Sequence, residues 1–93
     1  MAVYIIGYDL RKAGQNYSGL HEQIKSYGTW QHTLDSTWII RTSKTSAQIR
    51  DHLINYIDAN DSLVVFELTG NGAWYGIGQV GDKWLLDVLN NRG

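Results

Sequence analysis

Residues 70–84 read GNGAWYGIGQVGDKW, and within them Gly76-Ile77-Gly78-Gln79-Val80-Gly81 has the spacing G-x-G-x-x-G. How this stretch is read decides the fold. In a parallel α/β protein such glycines let backbone amides cradle a pyrophosphate. That use requires a strand before them, a helix after them and an acidic residue about 20 residues further on for the ribose. Residues 82–93 hold one short apolar helix, WLLDVLNN, with no second strand and acidic cap, and no comparable strand-helix-strand unit lies upstream. The stretch therefore reads as a glycine-rich hairpin and turn, with a fifth strand over Ala73 to Gln79 and no dinucleotide as ligand.

Working upstream, SLVVFEL (Ser62 to Leu68) is a strand joined to this stretch through the Gly70-Asn71-Gly72 turn. At the other end of the chain AVYIIGY (Ala2 to Tyr8) is rich in β-branched and aromatic residues and stops at Asp9. It is too apolar for an edge strand. A polar loop, DLRKAGQN, follows, and from Tyr17 the apolar residues Leu20, Ile24 and Tyr27 recur at helical spacing until Gly28. TWQHTL and TWIIRT flank Asp35-Ser36 and predict two antiparallel strands around a tight turn. Thr45 or Ser46 caps a second helix with Ile49, Leu53, Ile54 and Ile57 on its apolar face, ended by Asp58-Ala59-Asn60-Asp61.

The order β-α-β-β-α-β, with an extra strand and a terminal helix, predicts a ferredoxin-like α+β sandwich in one domain over residues 1–93. Alternation carries a further expectation. Tyr4, Ile6 and Tyr8 oppose Val3, Ile5 and Gly7 in the first strand, and Val64, Phe66 and Leu68 oppose Leu63, Val65 and Glu67 in the last. Both sheet faces are thus apolar, whereas two helices cover only one. The other face is expected to be buried against something, most economically a second copy.

Composition narrows the function. At 43% hydrophobic and 18% charged residues the chain is ordinary for a globular protein, while four Trp and six Tyr supply much aromatic area for a partner. With no Cys there is neither a disulfide framework nor a thiolate metal site, and no basic-flanked apolar leader or membrane-length apolar run is seen. A cytoplasmic location is the simplest expectation. A net charge of −1 argues against a protein that coats nucleic acid, since phosphate neutralisation supplies most non-specific affinity; the pairs Arg11-Lys12 and Arg41/Lys44 are local basic patches at most.

Among polar residues Asp9 stands out, because a carboxylate at the end of an apolar strand reaches a metal or substrate beside the sheet; the alternative use is as a turn cap. The three histidines lie far apart and none has zinc-site spacing. His21 and His52 fall beside the apolar stripes of their helices and read as boundary residues. His32 lies on a strand between Trp30 and the Asp35-Ser36 turn, where it can serve as an acid or base or bond a carboxylate. Trp30, Trp38, Trp74 and Tyr75 fit either a base-stacking platform or core and interface packing.

VYIIGYDL, YSGLHEQIKSYG, LDSTWII and IRDHLINYIDANDSLVVFEL together resemble the CRISPR-associated protein 2 superfamily, and most of all its short stand-alone SinR-family proteins, over roughly residues 3 to 79. The strand ending in Tyr8-Asp9 is the family hallmark; LDSTW and DANDSL point to the narrower group. The resemblance implies a ferredoxin-like fold and a homodimer in which the two sheets pack together and the segment after the fourth strand extends the partner's sheet. It also implies nucleic acid, RNA or DNA, as substrate or ligand, in antiviral defence. Metal-dependent relatives imply that Asp9 and its copy in the dimer hold Mg²⁺ for endonuclease chemistry. His32 and Ser36, beside it in this reading, are the further catalytic candidates. Relatives without activity imply the alternative, an inert dimer that binds a protein partner in a defence, toxin-antitoxin or adaptation assembly.

Overall fold

The computed structural model describes residues 1–11 and 17–90 of the chain. Its elements are β1 (Ala2–Asp9), α1 (Ser18–Lys25), β2 (Thr29–Leu34), β3 (Thr37–Thr42), α2 (Ser46–Leu53), a 3-10 turn (Ile54–Tyr56), β4 (Ser62–Glu67) and α3 (Gly78–Asn90). The result is an α+β fold. Among the described residues, three helices flank a four-stranded sheet in the order β2-β3-β1-β4, antiparallel throughout. Of the loop read over Asp9 to Asn16, residues 12–16, with Lys12 and Gly14, lie outside the described residues, as does Asn91.

Local chemistry explains the boundaries. The side chain of Thr45 accepts from the Gln48 N–H at 3.1 Å while the Gln48 side-chain oxygen accepts from the Thr45 N–H at 2.9 Å. This reciprocal box starts α2 by satisfying two amides that have no intrahelical partner. Past the end of α1 the chain reverses at Gly28, whose φ of +93° suits a residue without Cβ.

Register then sorts the side chains by face. Ile5 lies opposite Ile39 and Phe66, and Ile6 opposite Trp38 and Val65. Tyr4, Ile6, Trp38 and Ile40 thus share one face, and they pack with Leu20 and Ile24 of α1 and Ile49 and Leu53 of α2 into a buried cluster. Each buried aliphatic chain there contributes roughly 1.5–3 kcal/mol relative to exposure.

The second face departs from expectation. Leu85 and Val88 of α3 form a second core with Val3 and Ile39, joined by half-buried Ile5, Trp74 and Ile77. Helix α3 of the same chain therefore covers the centre of the face for which a second copy is the most economical cover. What it leaves open is β4, where Val64 and Phe66 are 47% and 62% exposed. The expected strand over Ala73 to Gln79 is not an element of this chain: Gly76 and Gly78 sit at φ +78° and +84°, which turns the backbone out of an extended path, and α3 begins at Gly78. Gly81 lies on the buried side of that helix, where a Cβ would come within 2.6 Å of the Gln31 side chain. The G-x-G-x-x-G glycines thus serve a helix start and a close helix-sheet approach.

Candidate functional site

β1 ends where the sheet meets two turns, and a shallow depression of about 340 Å³ opens there, lined by Gly7, Asp9, Ser36, Thr37, Ser62 and Val64 among others. Alternation puts Asp9 in line with Val3, Ile5 and Gly7, on the face away from α1 and α2. Its side chain is 69% exposed, and its Oδ2 accepts from Arg11 Nη2 at 3.3 Å. Opposite Asp9 in the β1/β4 ladder is Ser62. Ser36 reaches the same depression because the Tyr8 N–H donates to its carbonyl at 3.1 Å, which ties the β2/β3 turn to β1. Asp9 and Ser36 are therefore brought together.

His32 is not with them. The ladder pairs Gln31 with Ile39 and Leu34 with Thr37, so His32 and Thr33 together face Trp38 in a β-bulge. His32 follows Trp30, which lies opposite Ile40, by two residues and so shares the α1 side, where it stacks on the Trp38 indole with centroids 4.0 Å apart and planes 9° apart. The His32 Nε2–H donates to the Asp35 carbonyl at 2.9 Å. The sequence carries no sign of this bulge.

His21, read as a boundary residue, is drawn into the same cluster. Its ring centroid lies 5.6 Å from His32 and 5.5 Å from Trp38, and its Nε2 is 3.2 Å from the Tyr8 hydroxyl. Tyr8 in turn accepts from Trp38 Nε1 at 2.9 Å and lies 3.3 Å from the Asp35 carbonyl. Burial, then the electrostatic influence of His32 and of Lys25, hold His21 below the usual imidazole range against the pull of Glu22. Burial also raises the Tyr8 phenol, with Asp35 adding to the rise and the Trp38 bond opposing it. The adjacency of His21 to Leu20, one step from the buried stripe, is the only hint in the sequence. His52 is likewise internal to the fold, between Tyr27 at 2.7 Å and Gln23 at 2.9 Å.

The four aromatics weighed as a stacking platform do not share a surface. Trp38 is 1% exposed in the core with Trp30 beside it at 5.3 Å, whereas Trp74 packs on the α3 side and Tyr75 projects at 98% exposure. Asp61 is a structural carboxylate: it accepts from the Arg11 N–H at 2.8 Å, the Asp58 N–H at 2.7 Å and the Tyr17 hydroxyl at 2.9 Å, which joins the start of α1 to the start of β4. Among the described residues no three His, Asp or Glu side chains gather as a metal site, and no helix is long and apolar enough to cross a membrane. No protein-family model matches the chain.

Proposed function

We propose that this chain is a CRISPR-associated protein 2-like protein with the ferredoxin-like arrangement, working as a homodimer that binds or cleaves RNA or DNA, the cleavage being that of a Mg²⁺-dependent endonuclease. The observation that carries the reading is the position of Asp9: an exposed carboxylate at the end of a central strand, on the face away from α1 and α2, in a depression flanked by Ser36 and Ser62. One chain offers one carboxylate there. Two copies meeting beside α3, over the part of this face that β4 leaves open, bring two, and like charges forced together need a cation or a proton between them. A pair of carboxylates with waters and a phosphate suits Mg²⁺, which when bound neutralises phosphate charge and activates water. The Ser36 and Ser62 hydroxyls supply hydrogen bonds to phosphate oxygens at the rim. The open β4 edge, with Val64 and Phe66 exposed on it, supports pairing with a second copy.

The test is Asp9→Asn, which removes the charge while keeping the shape. In this reading the parent melts higher in Mg²⁺ than in EDTA and cleaves RNA or DNA, and the variant folds but does neither. A parent with no Mg²⁺ effect and no cleavage would refute it. The second reading, an inert dimeric interaction protein, is favoured by the Asp9–Arg11 pair, which already gives the carboxylate a cationic partner.

A further inference from the structure

We propose that the Tyr8 hydroxyl is a latch on the Asp35-Ser36 turn, set by whether His21 carries an added proton. Tyr8 grips this turn twice, by its N–H to the Ser36 carbonyl at 3.1 Å and by its hydroxyl, 3.3 Å from the Asp35 carbonyl. The first bond is fixed backbone pairing. The second depends on where a single proton goes.

A phenolic hydroxyl has one proton to give and two lone pairs to fill. Trp38 Nε1–H occupies one lone pair at 2.9 Å. The proton has two acceptors in reach, the Asp35 carbonyl and His21 Nε2, the latter at 3.2 Å. When His21 is neutral with its proton on Nδ1, Nε2 competes for the Tyr8 proton, and the Asp35 carbonyl keeps only the bond from His32 at 2.9 Å. When His21 is a cation, Nε2 must donate. It then fills the second lone pair of Tyr8, and the hydroxyl proton is left to the Asp35 carbonyl. Protonation of His21 therefore closes the latch.

The charged and titratable groups around His21 set where this occurs. Tyr8 faces it from β1 and His32 from β2, Glu22 and Lys25 lie on its own helix, Asp35 acts on Tyr8 from the turn, and Trp38 of β3 is the uncharged neighbour. Burial, His32 and Lys25 oppose the cation and Glu22 favours it, so closing falls on the acid side of ordinary histidine titration. Protonation of His32 does not open the latch, because its Nε2 donates to the same carbonyl in either state. The turn so controlled presents Ser36 to the depression that holds Asp9. The inference does not rest on cleavage of nucleic acid.

The experiment is a pH titration of the isotope-labelled full chain by NMR, from about pH 8 to about pH 5, following the His21 and His32 rings and the amides of Asp35 and Ser36. The expected result is that the turn amides move with the midpoint of His21 and that Tyr8→Phe abolishes this movement while His21 still titrates. Turn amides that follow His32, stay still in the parent, or move unchanged in Tyr8→Phe would overturn the latch. Should Tyr8→Phe fail to fold, because Trp38 loses its acceptor, His21→Gln replaces it. There the turn amides should lose their pH response, and persistence of that response would overturn the proposal.

Discussion

The imidazole of His32 lies flat on the indole of Trp38, 4.0 Å between centroids, and is held there by a bond of 2.9 Å from its Nε2–H to the Asp35 carbonyl. Stacking and the hydrogen bond make His32 a structural group on the side of the sheet away from Asp9. His32→Ala should therefore cost about 1–2 kcal/mol, the sum of an aromatic pair and one net hydrogen bond. Urea denaturation measures this cost; an unchanged midpoint would show that the stack contributes nothing.

His21 makes stability depend on pH. Its folded-state value lies below the ordinary 6.5, first through burial and then through His32 and Lys25. Between the two values the unfolded chain binds more protons. Stability is thus full above about 6.5, declines as pH falls through it, and levels off below the folded value. The urea midpoint should be lower near pH 5.5 than near pH 7.5, and His21→Gln should flatten that difference.

At the start of α2, Thr45→Ala removes the oxygen that accepts from Gln48 N–H and should lower stability by about 1 kcal/mol, while Thr45→Ser should keep most of it. Thermal unfolding followed by circular dichroism distinguishes the three proteins.

Two glycines of the 70–84 stretch should respond differently to alanine. Gly78 has a φ of +84°, so Gly78→Ala should cost about 1–2 kcal/mol through backbone strain. At Gly81 a Cβ meets the mobile end of Gln31 at 2.6 Å and Ile77 at 3.2 Å; Gln31 can swing aside, and the gain in helix propensity, up to about 1 kcal/mol, offsets the rest. Gly81→Ala should be near neutral, whereas Gly81→Val should lift α3 from the sheet and cost about 1–3 kcal/mol.

Phe66, 62% exposed on β4, tests the proposed dimer. Phe66→Lys should shift a sedimenting dimer to a folded monomer at micromolar concentration, and its unfolding midpoint should no longer depend on protein concentration. A parent that is already monomeric there would count against the homodimer.

Several features were legible in the sequence because they are local. Both strands of the hairpin, Thr29–Leu34 and Thr37–Thr42, follow from the runs TWQHTL and TWIIRT around Asp35-Ser36, and the α2 start falls at the first of the two caps that the sequence offers, Thr45 and Ser46. Alternation in β1 and β4 shows that both faces of the sheet are apolar. Tertiary structure alone decided what covers the second face, since WLLDVLNN shows an amphipathic helix but not the surface that it seeks. It also decided the bulge in β2, and the meeting of Tyr8, His21, His32 and Trp38, of which Tyr8 and Trp38 stand 30 residues apart. Periodicity reports how each segment divides its own side chains between two environments. Which segments then share an environment depends on packing between distant parts of the chain, and no single stretch encodes that.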